Sequence, residues 1–251
     1  MTLQEFFQKE PEAALAFSGG TDSACLLWAA VQYAHRVTAY YVKSPLQPHF
    51  ELEDARRLAA ELGTGLRVLE LDVLSDPVIA ANPPDRCYHC KRRIFSAIME
   101  AAQADGFSLL LDGTNASDSA GDRPGMRALA ELSVRSPLRE CGLTKADVRR
   151  LSRQAGLFTW DKPAYACLAT RVPAGEALTL EKLRRTEEAE DFLSSLGFSD
   201  FRVRLLDDCA RVQLPAAQFP RLLEHREEIL TRLGQDYRGV LLDLEPRDPT
   251  D

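Results

Sequence analysis

The chain has 251 residues, 45% of them hydrophobic and 27% charged, the composition of an ordinary globular protein long enough for a main domain plus a smaller appendage. No apolar run approaches the roughly 18 residues of a membrane span, which points to a soluble protein without a membrane partner. A formal charge of −7 argues against a broad nucleic-acid footprint, because phosphate neutralisation needs a clustered basic face.

The opening stretch MTLQEFFQKE has no basic region ahead of an apolar one, so the expected location is the cytoplasm. In that reducing compartment the six cysteines are expected to be free, metal-bound or catalytic rather than paired as disulfides. Short apolar runs at 13–17, 37–42, 66–71 and 108–111 are predicted as buried parallel strands. Helical periodicity over 21–34, 51–62 and 91–104 separates them, the pattern of a doubly wound, mostly parallel α/β sheet.

Directly after the first strand stands Ser18-Gly19-Gly20-Thr21-Asp22-Ser23, and a helix follows at once. Two glycines let the backbone turn tightly and approach a ligand, while successive amides at a helix start form a nest for phosphate oxygens. Neither GxxxxGK[ST] nor GxGxxG occurs, so γ-phosphate hydrolysis by a P-loop and dinucleotide chemistry are both set aside. Farther along, Asn82-Pro83-Pro84-Asp85 interrupts the pattern ahead of Arg86-Cys87-Tyr88-His89-Cys90-Lys91. A CxxC pair can chelate zinc or iron or act as a redox dithiol, and it needs a third partner to complete a site. His89, between the two thiols, points elsewhere if both bind one ion.

A polar loop is expected at 121–125 after the fourth strand, on the ligand-binding side of such a sheet. Thr144 opens the next helix, with Asp147 three residues on in capping-box spacing. Cys167 follows, within Asp161-Lys162-Pro163-Ala164-Tyr165-Ala166-Cys167-Leu168-Ala169-Thr170-Arg171. Lys162 and Arg171 would lower its thiol pKa if they lie close. Cys25, Cys141 and Cys209 have no convergent ligands and are expected to pack as small hydrophobes.

The remainder is predicted as a helix over 179–196, strands at 201–206 and 209–214, a helix over 215–233 and a strand at 238–244. These make a small C-terminal α+β domain, with the division drawn as 1–170 and 171–251. On the first of those strands Arg202 and Arg204 share one face, and paired guanidinium forks suit a substrate phosphate. Glu190 on the preceding helix is placed at the same site.

The SGGxDS loop resembles that of the PP-loop ATP pyrophosphatases, which hold the pyrophosphate of ATP while the α-phosphate is attacked. The resemblance narrows with Asp112-Gly113-Thr114-Asn115, Asp118, Arg123-Pro124-Gly125, Arg135-Ser136-Pro137-Leu138, Gly142-Leu143-Thr144-Lys145, Asp161-Lys162-Pro163, Cys167-Leu168-Ala169 and Arg171. In this order, over nearly the whole chain, they are typical of the LarE family, the sulfur transferases of nickel-pincer nucleotide cofactor biosynthesis.

The resemblance implies that ATP is bound by residues 18–23 together with Gly113, Thr114 and Asn115, with Asp22 organising Mg2+. It implies adenylation of a carboxylate of pyridinium-3,5-biscarboxylic acid mononucleotide, then displacement of AMP by sulfur to leave a thiocarboxylate. Cys167, Asp22, Lys91 and Arg171 are the residues expected to act in that chemistry. One branch of the family sacrifices the sulfur of the cysteine at the position of Cys167; another uses a CxxC pair plus that cysteine to hold a 4Fe-4S cluster. Cys87, Cys90 and Cys167 fit the cluster branch, with a homo-oligomer and a sulfide donor protein as expected partners.

Two departures stand out. Gln213 replaces the family's usual acidic residue, which puts any metal site using that carboxylate in doubt, and Leu205 and Leu206 stand where two histidines are common. Three other readings compete. A PP-loop tRNA thiolase would demand a basic face and extra CxxC zinc pairs. An amidating synthetase gives no reason for the three cysteines. A zinc-stapled nucleotide-binding module is the non-enzymatic alternative.

Overall fold

In a computed structural model, residues 1–118 and 124–247 are described, and they form two compact units. One comprises Met1–Val73 with Asp85–Lys162, the other Leu74–Pro84 with Pro163–Asp251.

In the first unit the helix α1 (Leu3–Lys9) opens on a capping box between Thr2 and Glu5. There follow β1 (Glu12–Ala16), α2 (Thr21–Tyr33), β2 (Arg36–Lys43), α3 (His49–Glu61) and β3 (Gly65–Glu70). The short α4 (Pro77–Ala80) belongs to the second unit, and α5 (Arg86–Ala104), β4 (Leu110–Leu111), α6 (Pro124–Glu131), α7 (Pro137–Glu140) and α8 (Lys145–Gln154) complete the first. The predicted capping box at α8 is present, with Thr144 and Asp147 satisfying each other's backbone amides.

All four strands run parallel in the order β3-β2-β1-β4, with Leu15 of β1 in register with Ala39 on one side and Leu111 on the other. Alternation along the strands divides the core into two layers. Ala13, Leu15, Ala39 and Tyr41 pack with residues of α1, α2, α3 and α8 on one face. Ala14, Tyr40 and Val42 pack with Phe95, Ile98 and Leu129 of α5 and α6 on the other. The chain winds outward from β1 to β3 and then returns to place β4 on the opposite side of β1. The crevice between the carboxyl ends of β1 and β4 is therefore the topological switch point, where open α/β sheets bind ligands.

Three expectations are corrected. The helix carrying the cysteine pair begins at Arg86 rather than 91, so the CxxC lies on the first turns of α5. Of the polar loop expected at 121–125, residues 121–123, including Arg123 of the family motif, lie outside the described residues, and from Pro124 the chain is already α6. Proline's fixed φ suits a first helical turn, and Ala128 and Leu129 bury the helix's inner side. The helix expected over 215–233 is broken into a 3-10 turn, α10 (Phe219–Glu224) and α11 (Arg226–Leu233). Pro220 lacks an amide and is tolerated only at the start of a helix, and His225, at φ −91° and ψ 10°, leaves helical geometry between the two pieces.

The second unit contains α9 (Leu180–Ser195), β5 (Arg202–Leu206), β6 (Cys209–Gln213) and β7 (Val240–Leu242). Its sheet has the order β5-β6-β7, antiparallel then parallel. Leu74–Pro84 is tied into it by backbone bonds from Leu178 to Ala80 and from Gly175 to Asn82, and by the Asn82 amide donating to the Pro173 carbonyl at 2.9 Å. No helix is long and apolar enough to cross a membrane among the described residues.

Candidate functional site

At the switch point, Gly19 takes a φ of +74°, and a side chain there would press within 3.0 Å of the Glu51 carbonyl. Glycine alone lets the loop turn so sharply against α3. Gly20 then precedes α2 as its N-cap, with no side chain capping the first-turn amides, so those dipoles face the crevice. The Ser18 and Ser23 hydroxyls are 3.1 Å apart, Ser23 Oγ donates to the Gly20 carbonyl, and Thr21 Oγ1 donates to the Thr159 carbonyl at 2.8 Å. These bonds hold the loop in shape.

The loop after β4 closes on the same point. A Cβ on Gly113 would lie 2.8 Å from the Ser23 amide nitrogen, so only glycine permits this approach. Asp112 beside it accepts hydrogen bonds from Thr114 Oγ1 and Ser136 Oγ, and the Asn115 amide nitrogen donates to Asp118 at 2.9 Å. Asn115 Nδ2 reaches back to the Asp22 carboxylate at 3.2 Å, and Lys145 Nζ donates to its other oxygen at 2.5 Å. The structure thus gathers residues 18–23, Gly113, Thr114 and Asn115.

It also adds Lys145, to which the sequence reading assigned no role. A cation in the first turn of a helix opposes the macrodipole, and Lys145 is the first residue of α8. That mismatch is the sequence signal that it serves something beyond helix stability. A mostly apolar cavity of about 130 Å³ opens beside Ser18, lined by Phe17, Tyr40, Val42, Phe95 and Ile98 among others.

On α5 Cys87 is exposed and Cys90 buried. The Arg86 guanidinium lies 3.5 Å from Cys87 Sγ. His89 pairs with Asp85 at 3.3 Å. Lys91 rests its stem on the start of α6, where a Cβ on Gly125 would come within 2.9 Å of it. Lys162 is engaged by Asp54 at 2.6 Å. Cys25 is fully buried, which raises its thiol pKa to about 11, while Cys141 and Cys209 are half-buried. Among the described residues no three His, Cys, Asp or Glu side chains stand together as a metal site.

Cys167, half-buried, belongs to the second unit, where it precedes the 3-10 turn Leu168–Arg171. Arg171 is 1% exposed and Glu190 5%. The Arg171 guanidinium donates twice to Glu190, at 2.8 and 3.0 Å, and once to the Ala166 carbonyl next to Cys167. Burial works against its charge, but the hydrogen bonds and charge of Glu190 outweigh this and hold its pKa above the ordinary value. Glu190 also accepts from the Tyr165 hydroxyl at 2.6 Å and the Val203 amide at 2.8 Å. Its carboxylate therefore acts through neighbours, joining α9, β5 and the Cys167 segment. Breaking a buried ion pair leaves an uncompensated charge, so Glu190→Ala is expected to lower unfolding stability by about 3–5 kcal/mol, measured by urea denaturation.

A cavity of about 500 Å³ lies in the same unit, lined by Ala164, Thr170, Arg202, Arg204, Gln213 and Arg247 among others. The one-face alternation of Arg202 and Arg204 is what brings both to it. Arg202 donates to the carbonyls of Phe201 and Ala164, and Arg204 to the Thr170 carbonyl and to Gln213 Oε1.

No protein-family model matches the chain. Among curated proteins, it is 37% identical over 233 residues to the pyridinium-3,5-bisthiocarboxylic acid mononucleotide synthase of Lactiplantibacillus plantarum, covering 92% of this chain and 84% of that one. The chain belongs to the LarE family. Like its members, it is an ATP-dependent sulfur-transferring enzyme. An uncharacterised Synechocystis protein is likewise 37% identical, over 97% of this chain and 92% of its own length. More distant are tRNA-specific 2-thiouridylases, the one from a Thermotoga strain being 24% identical over 59% of this chain and 53% of its own. LarE proteins and these thiouridylases share the PP-loop, and ATP with Mg2+ follows from it.

Proposed function

We propose that this LarE-family enzyme adenylates a carboxylate of pyridinium-3,5-biscarboxylic acid mononucleotide and replaces the AMP with sulfur, giving a thiocarboxylate. The observation that carries the reading is the convergence of residues 18–23, Gly113 and the Lys145–Asp22 pair on the uncapped start of α2. Amides and hydroxyls there would take the β- and γ-phosphates, and the apolar cavity beside Ser18 suits the base. Asp22 would hold Mg2+, which neutralises charge on the leaving pyrophosphate.

With that charge gripped, the substrate carboxylate attacks the α-phosphate and a poor leaving oxide becomes AMP. Arg202 and Arg204 would hold the substrate phosphate, with Glu190 keeping their strand and the Cys167 segment in place. Lys91 and Arg171 would serve as cationic supports on either unit. Cys87, Cys90 and Cys167 offer the sulfur donors a 4Fe-4S cluster takes. Together they would hold such a cluster, which would supply the sulfide for the transfer. A sulfide donor protein would then supply successive turnovers. The enzyme would act as a homo-oligomer, as the family resemblance implies.

Incubation with ATP, Mg2+ and the biscarboxylic mononucleotide under anaerobic conditions, with sulfide, should yield AMP and pyrophosphate in step with thiocarboxylate. Release of ADP and phosphate would overturn the reading.

A further inference from the structure

The first residue of α2 spends its hydroxyl on the protein. Thr21, 4% exposed, donates its only O–H to the Thr159 carbonyl at 2.8 Å, so that proton is not offered to a phosphate oxygen. The acceptor lies in residues 157–162, which follow α8 without forming helix or strand. No regular element holds that carbonyl in place, and side chains must do so instead.

Lys162 ties it down. Its amide donates to the same Thr159 carbonyl at 3.2 Å, closing a turn over 159–162. Its ammonium bonds Asp54 at 2.6 Å, the two side chains being only 17% and 28% exposed, and lies 5.2 Å from the centre of the Phe50 ring. Asp54 and Phe50 are one turn apart on α3, and Arg57 of the same helix stacks at 4.0 Å over the ring of Phe158. It is also α3 whose Glu51 carbonyl Gly19 presses against. The contacts close a circuit: α3 meets the phosphate loop directly at Gly19, and a second time through Asp54, Lys162, the Thr159 carbonyl and Thr21. One contact would leave the loop a pivot; two supports from one helix fix its tilt.

We propose that Asp54 and Lys162 are positioning residues of the ATP site, which set, through the turn 159–162, the orientation in which the start of α2 meets the phosphates. The proposal rests on the reading that residues 18–23 grip ATP. Neither side chain needs to touch the nucleotide, because affinity rises when the groups that do touch it are held ready beforehand.

Calorimetric titration of the full-length protein with α,β-methylene-ATP and Mg2+ tests this, since the analogue binds without being cleaved between its α- and β-phosphates. Lys162→Met and Asp54→Ala should each weaken binding at least about fivefold, while the number of sites per chain stays that of wild type. Lys162→Arg, which keeps a cation of similar reach, should stay within about twofold. Thr21→Val breaks the same path, so combining it with Lys162→Met should cost no more than about twofold beyond the worse single variant. Thermal melts check that each variant folds. Fewer sites at unchanged affinity, a loss in Lys162→Arg equal to that in Lys162→Met, or fully multiplied effects in the double variant would each overturn the inference. If wild type binds adenosine as tightly as the analogue, the phosphates are not gripped and the reading of residues 18–23 itself falls; if it prefers the analogue but Lys162→Met and Asp54→Ala bind it as wild type does, only the present inference falls.

Discussion

Asp22→Ala is expected to lower ATP-dependent pyrophosphate release by at least about 100-fold, the effect of removing one preorganised electrostatic group from a transition state, while the fold survives. Asp22 lies in the first turn of α2 and ties together two other parts of the site, accepting from Asn115 of the β4 loop and from Lys145 of α8. Losing it releases Lys145 and removes the carboxylate that would hold Mg2+ against the leaving group.

The structural cost is small, because the Asp22 and Lys145 side chains are 27% and 34% exposed and the pair is already half solvated. Exposed ion pairs contribute about 0–1 kcal/mol. Asp22→Asn keeps a hydrogen-bonding side chain but not the charge, and should be impaired to a similar degree. Pyrophosphate release measured by a coupled assay, alongside thermal melts, checks both points; activity within a few-fold of wild type in either variant would remove Asp22 from the chemistry.

The second large effect concerns sulfur. Cys87→Ala, Cys90→Ala and Cys167→Ala should each lose the iron of an anaerobically purified brown protein carrying about four iron atoms per chain. Cys87 and Cys90 have no purpose in a sacrificial mechanism, and they occupy the first turns of α5 with a guanidinium beside the exposed one. With sulfide supplied, the wild type should make more than one thiocarboxylate per protomer, and Cys167 should keep its mass. If intact-protein mass spectrometry instead shows Cys167 lighter by hydrogen sulfide after one turnover, and Cys87→Ala stays active, the cysteine is the sulfur donor. Zinc in place of iron would favour a structural role for the pair.

Much of the fold was legible because its signals are local. Apolar runs such as residues 13–16 repeat over a few residues, the Ser18–Ser23 loop sits between a strand and a helix in one continuous stretch, and the Thr144–Asp147 capping box spans a single turn. Backbone chemistry within one element is written in neighbouring residues. The alternation of Arg202 and Arg204 on β5 belongs to the same class, since a strand's period of two needs no partner to be read.

Tertiary structure decided what depends on distant residues. Lys145 meets Asp22 across 123 positions, and Gly113 meets Ser23, only because the order β3-β2-β1-β4 brings the ends of β1 and β4 side by side. Glu190 read as a ligand-facing acid on a helix, yet its oxygens are committed to Arg171, Tyr165 and the Val203 amide. The membership of Leu74–Pro84 in the second unit rests on bonds to residues about ninety positions later. Burial and charge compensation are properties of the packed chain, set by which distant groups share a low-dielectric space, and no local pattern encodes them.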